Sequence, residues 1–417
     1  MGDGMTTAAD PRTRRDGLGW VSRAIFGDPR LRLDVSAAPA PAPAGHRVAA
    51  RYAVVPSVER AKFLLPLASR RVGAASTLAY NALRPPRVRA NRLAVGLLAG
   101  AGATGLARMP VLTVAVPTDV DPAELLLAER ISQVEGRRLH AAIGIRPPDP
   151  HHKPTLQLFD DRGAARAYAK IGWNDATRAM VGAEADALRD LPRDGGDFPD
   201  VPGLLRELTW ADLRVTLVEP MPARVRRLRH PQRPRVAAML AVARRGGPAQ
   251  APGPLRDSPF LADLTARAAR AGGAVDAALA ALVDRDGATT LEFGHWHGDW
   301  VPWNLGTHRG RLVAWDWENS GTDRPVGFDL AHQGFQCALS LDGRPAGEAT
   351  TAMVDLLERH GAAFGLDPAR RRLVADAYLV ELWLRTAELA AGGGGWSDKL
   401  HPALLHVLAD RLTLPVR

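Results

Sequence analysis

His297-Gly298-Asp299-Trp300-Val301-Pro302-Trp303-Asn304, followed twelve residues later by Asp316 in Leu312-Val313-Ala314-Trp315-Asp316-Trp317-Glu318, is the stretch that decides how this chain folds. Phosphoryl transfer needs a carboxylate that orients the acceptor hydroxyl, and oxygen ligands for metal ions that bridge the nucleotide phosphates. In a loop, Asp299 can face the acceptor. Five residues on, Asn304 can turn its amide oxygen toward Mg²⁺, a hard cation that takes oxygen ligands, and Asp316 supplies the anionic ligand. Between the last two, Leu305 to Leu312 reads as a hairpin with Arg309-Gly310 at its turn, which would carry Asp316 back beside Asn304.

These residues resemble the aminoglycoside phosphotransferase and choline kinase superfamily, relatives of the protein kinases in which H-G-D replaces H-R-D and an apolar-D-W/F-E segment replaces D-F-G. Downstream, Pro325-Val326-Gly327-Phe328-Asp329-Leu330-Ala331 is similar to that family's P-x-x-D-L-A helix start. An isolated H-G-D is common, whereas three such positions in order followed by D-L-A are not. The resemblance implies an α+β, two-lobed protein-kinase-like fold, with a small β-rich N-lobe and a large, mostly helical C-lobe. It also implies that Asp329 braces the catalytic loop through backbone hydrogen bonds, and that His297 holds the loop rather than transferring protons.

The upstream sequence reads as a nucleotide lobe. Thr155 to Phe159 alternates, Asp160-Asp161-Arg162-Gly163 turns, and Ala165 to Gly172 resumes as a strand. That strand carries Lys170, one of four lysines against fifty arginines. An ammonium on the third strand can pair with the α- and β-phosphates as a compact point charge. A helix should follow, capped by Asn174 or Asp175, with Ala176, Ala179, Met180, Ala183, Ala187 and Leu188 along its apolar side. Glu184, beside that stripe, is the candidate partner of Lys170, with Asp186 the alternative. Leu205 to Trp210 and Leu213 to Val218 read as two more strands, after which Glu219-Pro220-Met221-Pro222 breaks the pattern. Where kinases place a glycine-rich loop this chain has Arg146 to Pro154, rich in proline, which lacks an N–H. Arg146, His151, His152 or Lys153 would then contact phosphates by side chain, unless this is a solvated basic loop.

A length of 417 residues implies two or three units. One cysteine, Cys337, excludes an intrachain disulfide framework and any cysteine-only zinc site, which fits a cytoplasmic setting. The net charge of +9 comes with arginines spread along the chain and no aromatic-interleaved motif, so no nucleic-acid partner is expected. Residues 1–45 read as a disordered tail, 46–130 as an N-terminal extension, 131–222 as the nucleotide-binding N-lobe and 223–417 as the catalytic and substrate-binding C-lobe. In the extension, uncharged Leu93 to Ala107 falls short of the ~20 residues that span a bilayer. Its basic flanks suit weak contact of residues 60–108 with an anionic membrane surface.

Five tryptophans (Trp296, Trp300, Trp303, Trp315, Trp317) lie in the opening stretch. They read as core, with Trp300 and Trp303 nearest the substrate, although a cationic acceptor can also sit over such rings. Helical patterns run over Ala352 to His360 and Arg371 to Ala391, Gly392 to Gly395 interrupts, and a last helix covers Leu404 to Leu412. Asp323, Glu381 and Glu388 are acidic candidates for binding an amine. Together these features give an ATP- and Mg²⁺-dependent phosphotransferase moving the γ-phosphoryl group to a hydroxyl of a small acceptor such as an aminoglycoside, amino alcohol or sugar. Asp299 would orient or deprotonate that hydroxyl, Asn304 and Asp316 hold Mg²⁺, Lys170 grip the phosphates, and Glu184 orient Lys170. The alternative is a non-catalytic nucleotide-binding or scaffold protein on the same fold, against which the intact residues argue.

Overall fold

The computed structural model describes residues 10–79, 83–102, 109–149, 151–191, 195–245, 252–391 and 400–412. The chain forms two compact units, Met1–Val181 with Gly203–Arg224, and Gly182–Pro202 with Val225–Arg417. One is built on a sheet and the other is largely helical, in agreement with the expected α+β, kinase-like fold.

In the first unit, β1 (Arg32–Ser36), β2 (His46–Val55), β3 (Phe63–Pro66), β4 (Val111–Pro117), β5 (His140–Gly144), β6 (Thr155–Phe159), β7 (Ala165–Gly172), β8 (Leu204–Trp210) and β9 (Leu213–Val218) form one antiparallel sheet. Its order is β1-β4-β2-β3-β5-β6-β7-β9-β8. Its last four strands, β6, β7, β9 and β8, are those expected of the nucleotide lobe. The extension is not separate from them, because Phe63 pairs with Gly144 and Leu64 with Ile143, carrying the ladder from β3 into β5. A boundary at residues 130 and 131 therefore divides nothing.

The tail expected over residues 1–45 is also corrected from Asp10 onward. Helix α1 (Gly17–Ile25) opens with Asp16, whose Oδ1 accepts from the Gly19 N–H at 3.1 Å. It then buries Leu18, Trp20, Val21 and Ile25 in the same core as Leu64, Val114, Ile143 and Leu158. Average composition hid this face, because the few apolar residues fall at helical spacing while the Ala-Pro run only connects β1 to β2. The helix also ties down the proline-rich loop. A Cβ on Gly17 would stand 2.4 Å from the Arg146 carbonyl oxygen. The Trp20 ring meets His152 and Trp173 edge-on, and the Trp173 indole N–H donates to the His152 carbonyl at 3.0 Å.

Further along come α2 (Arg70–Leu78), α3 (Pro86–Ala101), α4 (Pro122–Leu125), α5 (Leu127–Val134) and α6 (Asp175–Asp190). Asn174 accepts from the Thr177 N–H at 2.8 Å at the start of α6, as its capping role requires. The face that α6 buries is only partly the expected stripe. Ala187 and Leu188 are buried as expected, but Ala179 and Ala183 are exposed, and Thr177, Val181, Glu184 and Ala185 are buried in their place. Two polar residues sit on the inner side, which an apolar-periodicity rule discounts.

The second unit contains α7 (Val236–Ala243), α8 (Pro259–Ala271), α9 (Ala274–Asp286), α10 (Phe328–Gln336), α11 (Ala346–His360), α12 (Pro368–Ala391) and α13 (Leu400–Leu412). Short strands accompany them: β10 (Arg226–Arg227), β11 (Gly253–Pro254), β12 (Thr290–Leu291), β13 (Phe293–Trp296), β14 (Leu305–His308), β15 (Arg311–Ala314) and β16 (Gly321–Pro325). The expected break at Gly392 to Gly395 lies outside the described residues. Ion pairs tie α12 to its neighbours: Arg267 of α8 meets Glu381 at 2.6 Å and Glu388 at 2.9 Å, and Arg285 of α9 meets buried Asp376 at 2.5 Å. Glu381 and Glu388 are thereby taken up in structure rather than offered to an amine.

Because α1 is core, Leu18→Ala should cost about 2–5 kcal/mol of stability. Chemical denaturation checks this, and a change within 0.5 kcal/mol would return residues 10–25 to the status of a tail.

Candidate active site

The catalytic stretch leaves β13 and is held by α10, both within the second unit. Gly298 has φ +77°, and a Cβ there would lie 1.9 Å from the Asn319 carbonyl oxygen, so the middle position of H-G-D admits glycine alone. Asp329, in the first turn of α10, accepts from the His297 N–H at 2.9 Å and the Gly298 N–H at 3.1 Å. Its burial pushes the carboxyl up to about 7, against the lowering pull of those two donors.

His297 is buried against Trp300 and Trp317. Its Nδ1 accepts from the Asp299 N–H at 3.2 Å, and its Nε2–H donates to the Trp315 carbonyl at 3.1 Å. These partners select one neutral tautomer, and burial holds the imidazole down to about 4. It clips the Asp299 loop to the strand that delivers Asp316.

Asp299 itself is gripped on both oxygens. His332 Nε2 meets Oδ1 at 3.0 Å and the Asn304 amide nitrogen donates to Oδ2 at 2.7 Å. Burial works to raise its pKa, but the His332 hydrogen bond and the nearby Arg385 charge outweigh it and hold the carboxyl below the usual carboxylate value, so it stays ionised at neutral pH. With its side chain 32% exposed, it remains reachable. His332 is neutral for the complementary reason: burial lowers it more than Asp299 raises it. Its Nδ1 then accepts from the Tyr378 hydroxyl at 3.0 Å. Arg385 donates to the Gly298 carbonyl at 2.7 Å and lies over the Trp296 ring.

The amide nitrogen of Asn304 is committed to Asp299, which leaves its oxygen as the atom to offer a cation. The hairpin after it is as read: His308 pairs with Arg311 around Arg309-Gly310, both at positive φ as a type I′ turn requires. The Trp315 N–H donates to the Asn304 carbonyl at 3.1 Å, returning the chain beside the loop. Asp316 adopts a left-handed conformation, φ +63°, a strained state that concentrates at functional sites. Its carboxylate, that of Glu318 and that of buried Glu184 have oxygens all within 4.8 Å of one another. Three hard oxygen donors at that separation suit a divalent cation.

Of the other residues singled out in the sequence, Lys170 stands on β7 opposite Thr155 and Thr216, half-buried, in the first unit. Asp186, the alternative partner of Lys170, is a surface residue paired with Arg189 at 2.7 Å. His152 Nδ1 is bound to the Pro147 carbonyl at 2.8 Å. Trp300 is fully buried, so only Trp303, 43% exposed, remains as a substrate neighbour. Sequence reasoning missed His332, Tyr378, Arg385 and Glu318. A signal existed for two of them: His332 follows Asp329 by one helical turn and so faces the same loop, and Glu318 follows Asp316 by two residues. Nothing local marks Tyr378 or Arg385.

The neutral buried imidazole sets an acid limit. Unfolded histidine protonates near pH 6.5, whereas His297 folded does so near 4. Its contribution, up to about 3 kcal/mol, is complete above pH 6.5 and is lost as pH falls toward 4. His332 adds in the same direction. Asp329, raised to about 7, gains stability over the same window as pH falls, so the test is a difference: in denaturant titrations from pH 7.5 to 4.5 the wild type should lose stability relative to His297→Gln, and a constant difference would refute the assignment.

No protein-family model and no curated relative matches this chain. Among solved structures, it is similar to a thermostable mutant of aminoglycoside phosphotransferase APH(4)-Ia in complex with ADP and hygromycin B, at 13% identity, covering 69% of this chain and 98% of that one, with a TM-score of 0.46. It is similar to choline kinase LicA from Streptococcus pneumoniae at 11% identity, covering 69% and 97%, with a TM-score of 0.46. Amicoumacin kinase hAmiN, in complex with AMP-PNP, Ca²⁺ and Ami, is similar at 15% identity over 63% and 86%, with a TM-score of 0.37. The geometry of the Asp299 loop carries the functional reading on its own.

Proposed function

We propose that this protein is a phosphotransferase that moves the γ-phosphoryl group of ATP to a hydroxyl of a small acceptor. The observation that carries the reading is the doubly anchored Asp299, ionised, reachable, and set in a loop whose Asn304 and returning Asp316 supply cation ligands. An ionised carboxylate of lowered basicity is a weak proton acceptor. Asp299 therefore acts chiefly by orienting the acceptor hydroxyl along the line of attack, and takes its proton late, as a loose transition state allows. Asn304 splints the carboxylate through its nitrogen, and His332 fixes the other oxygen.

The donor set fits Mg²⁺: Asp316, Glu318 and Glu184 offer carboxylate oxygens within 4.8 Å of one another, and Asn304 would add its amide oxygen. Bound there, Mg²⁺ would neutralise charge on the nucleotide phosphates. Lys170 would pair with the α- and β-phosphates as a compact point charge. An aminoglycoside, amino alcohol or sugar supplies the hydroxyl. Among the described residues no helix is long and apolar enough to cross a membrane.

Mg²⁺-dependent thermal stabilisation by ATP should appear and should weaken in Lys170→Ala; no shift in the wild type would sink the nucleotide claim. Across a panel of hydroxylated acceptors, Asp299→Asn should lower transfer by roughly 10²–10⁴-fold. His332→Gln should lower kcat while leaving the acceptor KM nearly unchanged, because it positions the carboxylate without touching substrate. Equal rates in Asp299→Asn and wild type would remove Asp299 from the chemistry.

A further inference from the structure

The positive charge of this chain has a location. Between Glu59 and Asp119 there is no acidic residue, while nine lysines and arginines fall there. The remaining 45 basic residues match the chain's 45 acidic ones, so the whole net charge of +9 belongs to residues 60–118. Arginines are spread along the sequence, but their excess over acids is not.

That stretch folds as β3, the α2–α3 helical pair and β4. Helix α3 lies on α2 through Gly96, where a Cβ would stand 2.7 Å from Thr77 Oγ1, and through buried Ala99. Arg92 turns the same way. Its guanidinium donates to the carbonyls of Thr77, Ser76 and Ala79 at 2.8, 3.3 and 3.2 Å and covers the Phe63 ring. With that side fixed inward, the opposite side of α3 presents Leu93 and Leu97, one turn apart and 48% and 65% exposed. Ala90, Ala94 and Gly100 lie exposed around them. Arg84, Arg87 and Arg89, also exposed, flank the N-terminal end of this face, and Arg70 and Arg71 open α2.

We propose that the outer face of α3 docks on an anionic lipid surface. Large aliphatic side chains held in water cost free energy that the headgroup–acyl boundary relieves, and arginines beside them pair with anionic headgroups while their stems lie along apolar surface. Among the described residues of this stretch a nucleic acid would find no free base-stacking aromatic, since Phe63 is covered by Arg92, and leucines would project where phosphates should lie. At 16 residues, α3 lies along the surface rather than across it.

The test uses the full chain and sucrose-loaded vesicles of phosphatidylcholine, with and without phosphatidylglycerol. Co-sedimentation is expected with the anionic vesicles alone, weakening as salt is raised. Leu93→Ser/Leu97→Ser and Arg84→Glu/Arg87→Glu should each lower partitioning by roughly tenfold or more, with unchanged melting temperature. Leu97→Ala, a milder change at an exposed position, should give a smaller loss in the same direction. The proposal is overturned by absent binding at low salt, or by binding that survives both double variants. Loss in the arginine variant alone would reveal simple charge adhesion to an acidic polymer or protein. A concentration-dependent dimer abolished by the leucine variant would assign the face to a second copy instead.

Discussion

The buried carboxylate of Asp329 receives two consecutive backbone N–H groups, from His297 and Gly298, at 2.9 and 3.1 Å. A loop rarely has its own backbone groups satisfied away from water, and each left unpaired would cost about 1–3 kcal/mol. Asp329 settles two at once and thereby sets where Asp299 can point. The arrangement is not free of cost, since burial pushes this carboxyl up to about 7. What keeps it in place is that α10 supplies both Asp329 and, one turn later, His332. A single helix thus holds the loop by its backbone and by the Asp299 side chain.

Two neutral imidazoles complete the frame, and hydrogen-bond partners select the tautomer of each. His297 accepts at Nδ1 from the Asp299 N–H and gives its Nε2 proton to the Trp315 carbonyl. His332 accepts at Nδ1 from Tyr378 and gives its Nε2 proton to Asp299. Neither is placed to shuttle protons, because each ring proton already has a fixed acceptor. Burial disfavours the imidazolium in both, so the loop contains no mobile positive charge to discharge the Asp299 carboxylate at neutral pH.

How much of this was legible depended on whether the signal was local. The hairpin from Leu305 to Ala314 could be read because its turn, register and strand partners lie within ten residues. The strands β6 to β9 and helix α6 could be read for the same reason. The face that α6 buries could not, because Thr177 and Glu184 are polar and are buried by partners distant in sequence. Helix α1 was hidden in a segment of tail-like composition, since four well-spaced apolar residues vanish in an average over forty-five.

The order H-G-D-x4-N with Asp316 and Asp329 determined, without any coordinates, which residues could form a phosphotransfer site and that His297 and Asp329 would brace it. The grouping of Asp299, Asn304 and Asp316 follows from spacing along one short segment, whereas the bracing roles of His297 and Asp329 were what the resemblance implied. Only the tertiary structure decided that His332, Tyr378 and Arg385 stand behind Asp299, that Glu318 joins Asp316 and Glu184, and that the extension continues the nucleotide-lobe sheet. Each of these joins residues far apart in the chain, and the free energy that brings them together comes from burying apolar surface over the whole unit, which no local pattern encodes.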